Sequence, residues 1–206
     1  QQASWRVDPN KSGASGAGGD IGTHAYEFVR FVAGLSAVEV QARLHTFVKG
    51  RRLDDDFAVF ARLDNGALAT ITASQITIGA QNDNGFRVTG DKGRVEWSML
   101  DHMSLYVYKP GEPVAQYRLG ADYSYFPDSI TPYLRLPSGH PEGFHEALAN
   151  LHMTQQLHLR KRMGEDVPNP FPHPDVVDGA AGMAFVEAAV KSSLNDGAWT
   201  GVQNIS

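Results

Sequence analysis

Apolar positions along this chain change period from helix to strand and back to helix. Ile21, Ala25, Phe28, Val32 and Leu35 recur at spacings of four and three, which predicts a helix that starts at Asp20 and ends at Gly34. Ahead of it, Trp5-Arg6-Val7 reads as a short strand stopped by Asp8-Pro9, because the residue before proline avoids the helical region. Gly13, Gly16, Gly18 and Gly19 then form a glycine-rich loop. The middle of the chain is strand-rich. Residues 38–48 alternate imperfectly, 51–56 are a charged connection, and Phe57, Val59, Ala61 and Leu63 share one strand face. Asn65-Gly66 turns that strand back into a partner over residues 67–78. A second hairpin joins 86–89 to 94–99, and strands at 105–108 and 115–119 continue the meander. Val95, Trp97 and Met99 alternate with Arg94, Glu96 and Ser98, which predicts one wet face.

Residues 120–140 are aromatic and irregular, the pattern of a functional or disordered loop. Amphipathic helices are predicted over 142–163 and 175–194. Sequential strands joined by short turns pair antiparallel, and helices at both ends of such a sheet make the fold α+β. The expected architecture is an open, predominantly antiparallel sheet with helices on one face, in a single domain spanning 1–206.

Composition narrows the function. At 206 residues the chain is one large domain or two small ones, and it has no cysteine. That excludes disulfide scaffolds, cysteine-rich zinc modules and thiol catalysis, and fits a reducing, cytoplasmic setting. Eighteen Lys+Arg against 23 Asp+Glu give a net charge of −5 with no basic stripe, so nucleic acid is not an expected partner. No apolar run reaches the roughly 18 residues a membrane helix needs. The first residue is Gln1, which reads as a processed product or a fragment of a longer polypeptide.

The glycine loop invites a phosphate-binding reading, but its spacing argues against one. Gly16 and Gly18 give GxG, yet Ile21 stands where a dinucleotide fingerprint needs Gly or Ala. The alternative is a loop whose glycines let backbone approach something closely. Asp20 and His24 lie four apart, one helical turn from each other. A carboxylate beside an imidazole can handle protons; equally, Asp can be a helix cap and His a packed or surface ring. Eight histidines raise a metal, but none of His140, His145, His152 and His158 is spaced i,i+4, and no HExxH occurs. No metal site is expected. Asp54, Asp55 and Asp56 read as a solvated strand start.

Trp5-Arg6-Val7-Asp8-Pro9 followed by Gly18-Gly19-Asp20-Ile21-Gly22-Thr23-His24 resembles the start of the C-terminal domain of the Gfo/Idh/MocA oxidoreductases. The similarity continues through Asp55-Asp56-Phe57, residues 63–68 and 88–93, then Gly139-His140-Pro141-Glu142-Gly143-Phe144 and the last helix. The resemblance implies a sheet domain like the C-terminal domain of glyceraldehyde-3-phosphate dehydrogenase. It implies catalysis by Asp20 and His24 at the nicotinamide of NAD or NADP, with Trp5, Arg6 and His140 lining the substrate pocket and Lys11 a weaker candidate. It further implies a sugar or cyclic polyol substrate and homo-oligomers formed through the sheet face around Trp97. The family's Rossmann domain and its Glu-Lys-Pro motif are not in this sequence, so this chain alone is expected to be inactive. Tyr108-Lys109-Pro110 ends a strand and does not replace that motif. Two alternatives stand beside this reading: a non-catalytic binding or assembly module, and a metal-dependent sugar isomerase or hydrolase.

Overall fold

A computed structural model describes residues 4–205, without the side chain of Ser4. In chain order the described strands are β1 (Ala37–His45), β2 (Asp56–Leu63), β3 (Leu68–Ser74), β4 (Gly85–Gly90), β5 (Gly93–Ser98), β6 (Ser104–Tyr108), β7 (Ala115–Arg118) and β8 (Thr200–Gly201). The α-helices are α1 (Pro9–Ser12), α2 (Thr23–Phe28), α3 (Phe144–Arg162) and α4 (Val176–Leu194). Residues 1–81 with 174–206 make one compact unit, and 82–173 make a second. The α+β class and the antiparallel pairing match the sequence reading. The meander, however, is divided between two four-stranded sheets, β3-β2-β1-β8 and β4-β5-β6-β7.

In the first unit the alternation along β2 decides the architecture. Phe57, Val59, Ala61 and Leu63 are buried while Phe60 and Arg62 face solvent. With Val40, Ala42, Ile71 and Ala73 they floor a core roofed by Phe185, Ala188 and Ala189 of α4. Burying each large aliphatic or aromatic side chain of such a core contributes about 1.5–3 kcal/mol. Tyr26 of α2 stacks on Phe185 at 4.1 Å, and its hydroxyl accepts the Ala37 N–H at 3.0 Å. The hairpin register places Arg62 opposite Leu68, around a turn where Gly66 takes a left-handed φ of 87°. Asp175 caps α4 by accepting from the Val177 and Asp178 N–H groups, and Asp178 returns a bond to Asp175. The two-residue strand β8, which the sequence pattern does not announce, adds an edge beside β1.

The second unit holds the other sheet, α3 and the aromatic loop. Within the loop, buried Glu142 accepts from the Arg135 and Leu136 N–H groups at 2.7 Å each. The helix and strands fall where the periodicity places them, but the expected wet and dry faces of β5 do not separate. All six of its residues are half-buried, and Ser104 is the one buried residue in the four strands. The apolar Phe144, Leu148 and Leu159 of α3 are exposed as well.

A further local expectation is overturned. Residues 4–7 form a 3-10 turn, not a strand, and α1 follows directly. Asp8-Pro9 is a start signal here. The Asp8 carboxylate accepts the Asn10 N–H at 3.1 Å, and Pro9 sits at a first helical position where its missing N–H costs nothing.

Candidate functional site

The helix bearing Asp20 and His24 is α-helical only in its middle. A π turn over Gly18–Gly22 precedes α2, and a second over Val29–Ala33 follows it, ending at Gly34 with a left-handed φ of 67°. Such turns recur at functional sites because the extra residue per turn redirects side chains.

The glycines let this helix lie against β2. A Cβ on Gly16 would stand 2.3 Å from the Asp54 carbonyl oxygen, and one on Gly18 would stand 2.5 Å from the Phe57 ring. Close approach, the bland reading of the loop, is what these glycines provide. The turn also binds an anion, and that anion is the protein's own. Asp54 accepts the Gly16 N–H at 2.7 Å and the Gly18 N–H at 3.0 Å, while its carbonyl accepts the Ala17 N–H. A phosphate is therefore excluded from this turn by an occupant of the same charge.

Asp54 and Asp55 are thus not a solvated strand start; both are buried. Asp55 is fully buried and accepts from the Phe47 and Val48 N–H groups at 2.8 and 2.9 Å. Burial pushes its carboxyl up, but those two amides and the Arg51 guanidinium outweigh this and hold it below the usual carboxylate range. Three consecutive aspartates look solvated in sequence because nothing there announces backbone donors to receive them.

Asp20 sits half-buried at the start of the helix. Its Oδ2 is 3.5 Å from the Arg6 guanidinium and accepts from the Gln75 carboxamide at 3.3 Å, leaving Oδ1 without a hydrogen bond among the described residues. Arg6 in turn lies 5.6 Å over the Trp5 ring, so three of the predicted residues, Trp5, Arg6 and Asp20, come together. His24 is exposed one turn further on, and no side-chain hydrogen bond joins it to Asp20. Lys11, exposed on α1, donates its backbone N–H to the Asp8 carbonyl at 2.9 Å, and its side chain has no hydrogen bond or ion pair among the described residues. His140 belongs to the second unit, where it is exposed and donates its backbone N–H to Pro137 at 3.2 Å. Near it, the backbone N–H and hydroxyl of Ser138 hold the Asp122 carboxyl below its ordinary range.

Gln75 is the participant that sequence reasoning missed. It follows β3 directly, and its N–H donates to the Asp55 carbonyl, which continues the ladder one residue past the strand. A lone glutamine after a strand carries no pattern; only the register places it between Asp55 and Asp20. Among the described residues no group of three or more His, Cys, Asp or Glu side chains could hold a metal ion. No described helix is long and apolar enough to cross a membrane.

Comparison with known proteins gives this arrangement its context. Residues 1–96 match the GFO/IDH/MocA C-terminal domain. An uncharacterized oxidoreductase, YfiI of Bacillus subtilis (strain 168), is 29% identical over 199 residues, covering 95% of this chain and 50% of the relative. An oxidoreductase from Sinorhizobium meliloti superposes with a TM-score of 0.82 at 37% identity, over 89% of this chain and 51% of its own. An inositol dehydrogenase homolog from Azotobacter vinelandii, solved with NAD+, gives 0.82 at 27% identity, over 96% of this chain and 51% of its own. The same homolog has also been solved with NADH and myo-inositol. The chain spans about half the length of these relatives. In sequence over residues 1–96 and in fold, this chain matches the C-terminal domain of the Gfo/Idh/MocA oxidoreductases.

Proposed function

We propose that this chain, residues 1–206 acting as one domain, is the substrate-binding and oligomerisation half of an NAD(P)-dependent dehydrogenase for a sugar or cyclic polyol. The observation that carries the reading is the Trp5-Arg6-Asp20 cluster, one turn from an exposed His24, on a helix locked to β2 by its glycines. The residues fit the reacting end of a nicotinamide dinucleotide and not its phosphates, since Asp54 fills the glycine turn. A Rossmann domain elsewhere in the polypeptide would bind the rest.

A bound nicotinamide supplies the hydride acceptor for oxidation of a carbinol. As the C–H bond breaks with its electron pair, the hydroxyl oxygen must lose a proton. The exposed His24 imidazole receives it as the carbonyl forms. Asp20, its Oδ2 held by Arg6 and Gln75, turns Oδ1 to a neighbouring substrate hydroxyl and fixes which carbon faces the acceptor. Arg6 and Trp5 offer donors and an apolar ring face, the complementary surfaces of a hydroxylated ring.

For the oligomer, the support is the second sheet. Phe86 and Trp97 stack at 6.0 Å on strands with almost no buried residue, a surface that association through a second copy would cover. A cytoplasmic location is part of this reading; a sequence without cysteine fits a reducing compartment. The test is reduction of NAD+ and of NADP+ by the intact gene product across a panel of inositols, anhydrosugars and aldoses. Turnover of one polyol class supports the reading. No turnover, with no dinucleotide bound, would instead favour a binding module.

A further inference from the structure

We infer that Gln75, backed by Arg51 and Asp55, is a positioning residue that sets the orientation of the Asp20 carboxylate. The inference rests on the reading of Asp20 as a substrate-contacting group and identifies what holds it.

The support is a continuous line of polar contacts within the first unit. Asp55, fully buried, has both carboxylate oxygens committed to the Phe47 and Val48 amides. Arg51 lies 3.7 Å from Asp55 Oδ2, and its guanidinium donates to Gln75 Oε1 at 3.3 Å. The same carboxamide donates from Nε2 to Asp20 Oδ2 at 3.3 Å. On the far side Arg6 faces that oxygen at 3.5 Å.

A carboxamide is the side-chain group suited to this place. It accepts from a cation with one atom and donates to an anion with the other, so the charges on either side select a single flip of the amide. Glutamate would satisfy Arg51 but repel Asp20; lysine would satisfy Asp20 but repel Arg51. The backbone of Gln75 is tied to Asp55 by the ladder bond at 2.9 Å, so the amide is aimed from a fixed strand end. Both contacts to Asp20 converge on Oδ2. This leaves Oδ1 on a carboxylate whose rotation is restricted, which is what a group that selects one substrate hydroxyl requires.

The ranking of two substitutions separates positioning from a structural role. Glu is nearer to Gln in shape than Leu is, so a structural role predicts that Gln75→Glu is the milder change. Positioning predicts the reverse, because Gln75→Glu removes the donor and adds a like charge beside Asp20. In the intact gene product, with its polyol substrate, kcat should fall about tenfold in Gln75→Leu and about a hundredfold in Gln75→Glu. The KM for NAD+ and the melting temperature should stay near those of the parent. Independently of activity, the carboxamide 1H–15N resonances of Gln75 should move in Asp20→Asn. Turnover of both Gln75 variants within about twofold of the parent, with Asp20→Asn inactive, would overturn the inference and leave the site standing. The milder loss in Gln75→Glu would overturn it in favour of packing. Full turnover in Asp20→Asn would remove the site reading itself, and the inference with it.

Discussion

Four glycines within seven residues, Gly16, Gly18, Gly19 and Gly22, have different work to do, and alanine substitution separates them. A Cβ on Gly19 meets nothing within 4 Å, so Gly19→Ala should gain helix propensity and stabilise by up to about 1 kcal/mol. On Gly22 the new Cβ would lie 3.1 Å from the Phe57 ring, a few tenths of an ångström too close, and the clash roughly cancels the propensity gain. On Gly18 it would lie 2.5 and 2.6 Å from two carbons of that ring and 2.4 Å from the Ser15 hydroxyl. Phe57 is buried and packs edge-on against Phe185 at 6.2 Å, so it has no room to withdraw. Overpacking of this kind costs about 1–3 kcal/mol, which outweighs the propensity gain. Gly16→Ala meets backbone, the Asp54 carbonyl at 2.3 Å, and would also pull apart the carboxylate clamp on the Gly16 and Gly18 amides; it should be the most damaging. Urea unfolding of the four variants, followed by circular dichroism, should rank them Gly19, Gly22, Gly18, Gly16 from most to least stable. Equal destabilisation at Gly19 and Gly18 would refute the close-approach account and favour a loop that needs flexibility for its own sake.

Two further predictions concern buried polar groups. The Asp55 carboxyl is held below its unfolded value, so its contribution to stability is complete above about pH 4 and is lost as pH falls through the lower folded pKa. Asp55→Asn should therefore cost about 2–3 kcal/mol at neutral pH and flatten the acid limb of the stability profile; an unchanged limb would show that Asp55 does not carry it. Tyr26→Phe keeps the ring on Phe185 but leaves the buried Ala37 N–H without its acceptor, and should cost about 1–2 kcal/mol in the same unfolding experiment, against no change if that amide finds another partner.

What was legible in the sequence follows from how local each signal is. The Asn65-Gly66 hairpin, the helix stop at Gly34 and the start of the last helix near Asp175 are set by neighbouring residues, and all three stand in the structure. Asp8-Pro9 is local too but ambiguous, since proline after a polar residue ends a strand as readily as it starts a helix. The burial of Asp54 and Asp55 was not legible, because their partners are backbone amides of the glycine loop and of residues 47 and 48. Non-local pairing likewise hid Gln75, whose two contacts lie 24 and 55 residues away. Asp20 and His24 were singled out by their spacing and by the family resemblance, and Arg6 by the resemblance alone. Strand periodicity in β4 to β7 gave the strands but not their faces, since period two reports a buried face only when something covers it.

The most direct test of the account is single-turnover reduction of NAD+ by the intact gene product with His24→Asn and Asp20→Asn. The account predicts that hydride transfer slows by about a hundredfold or more in each variant, with dinucleotide affinity and melting temperature unchanged. Transfer at the parental rate in both would contradict it, and would place the proton-handling and orienting groups outside this helix.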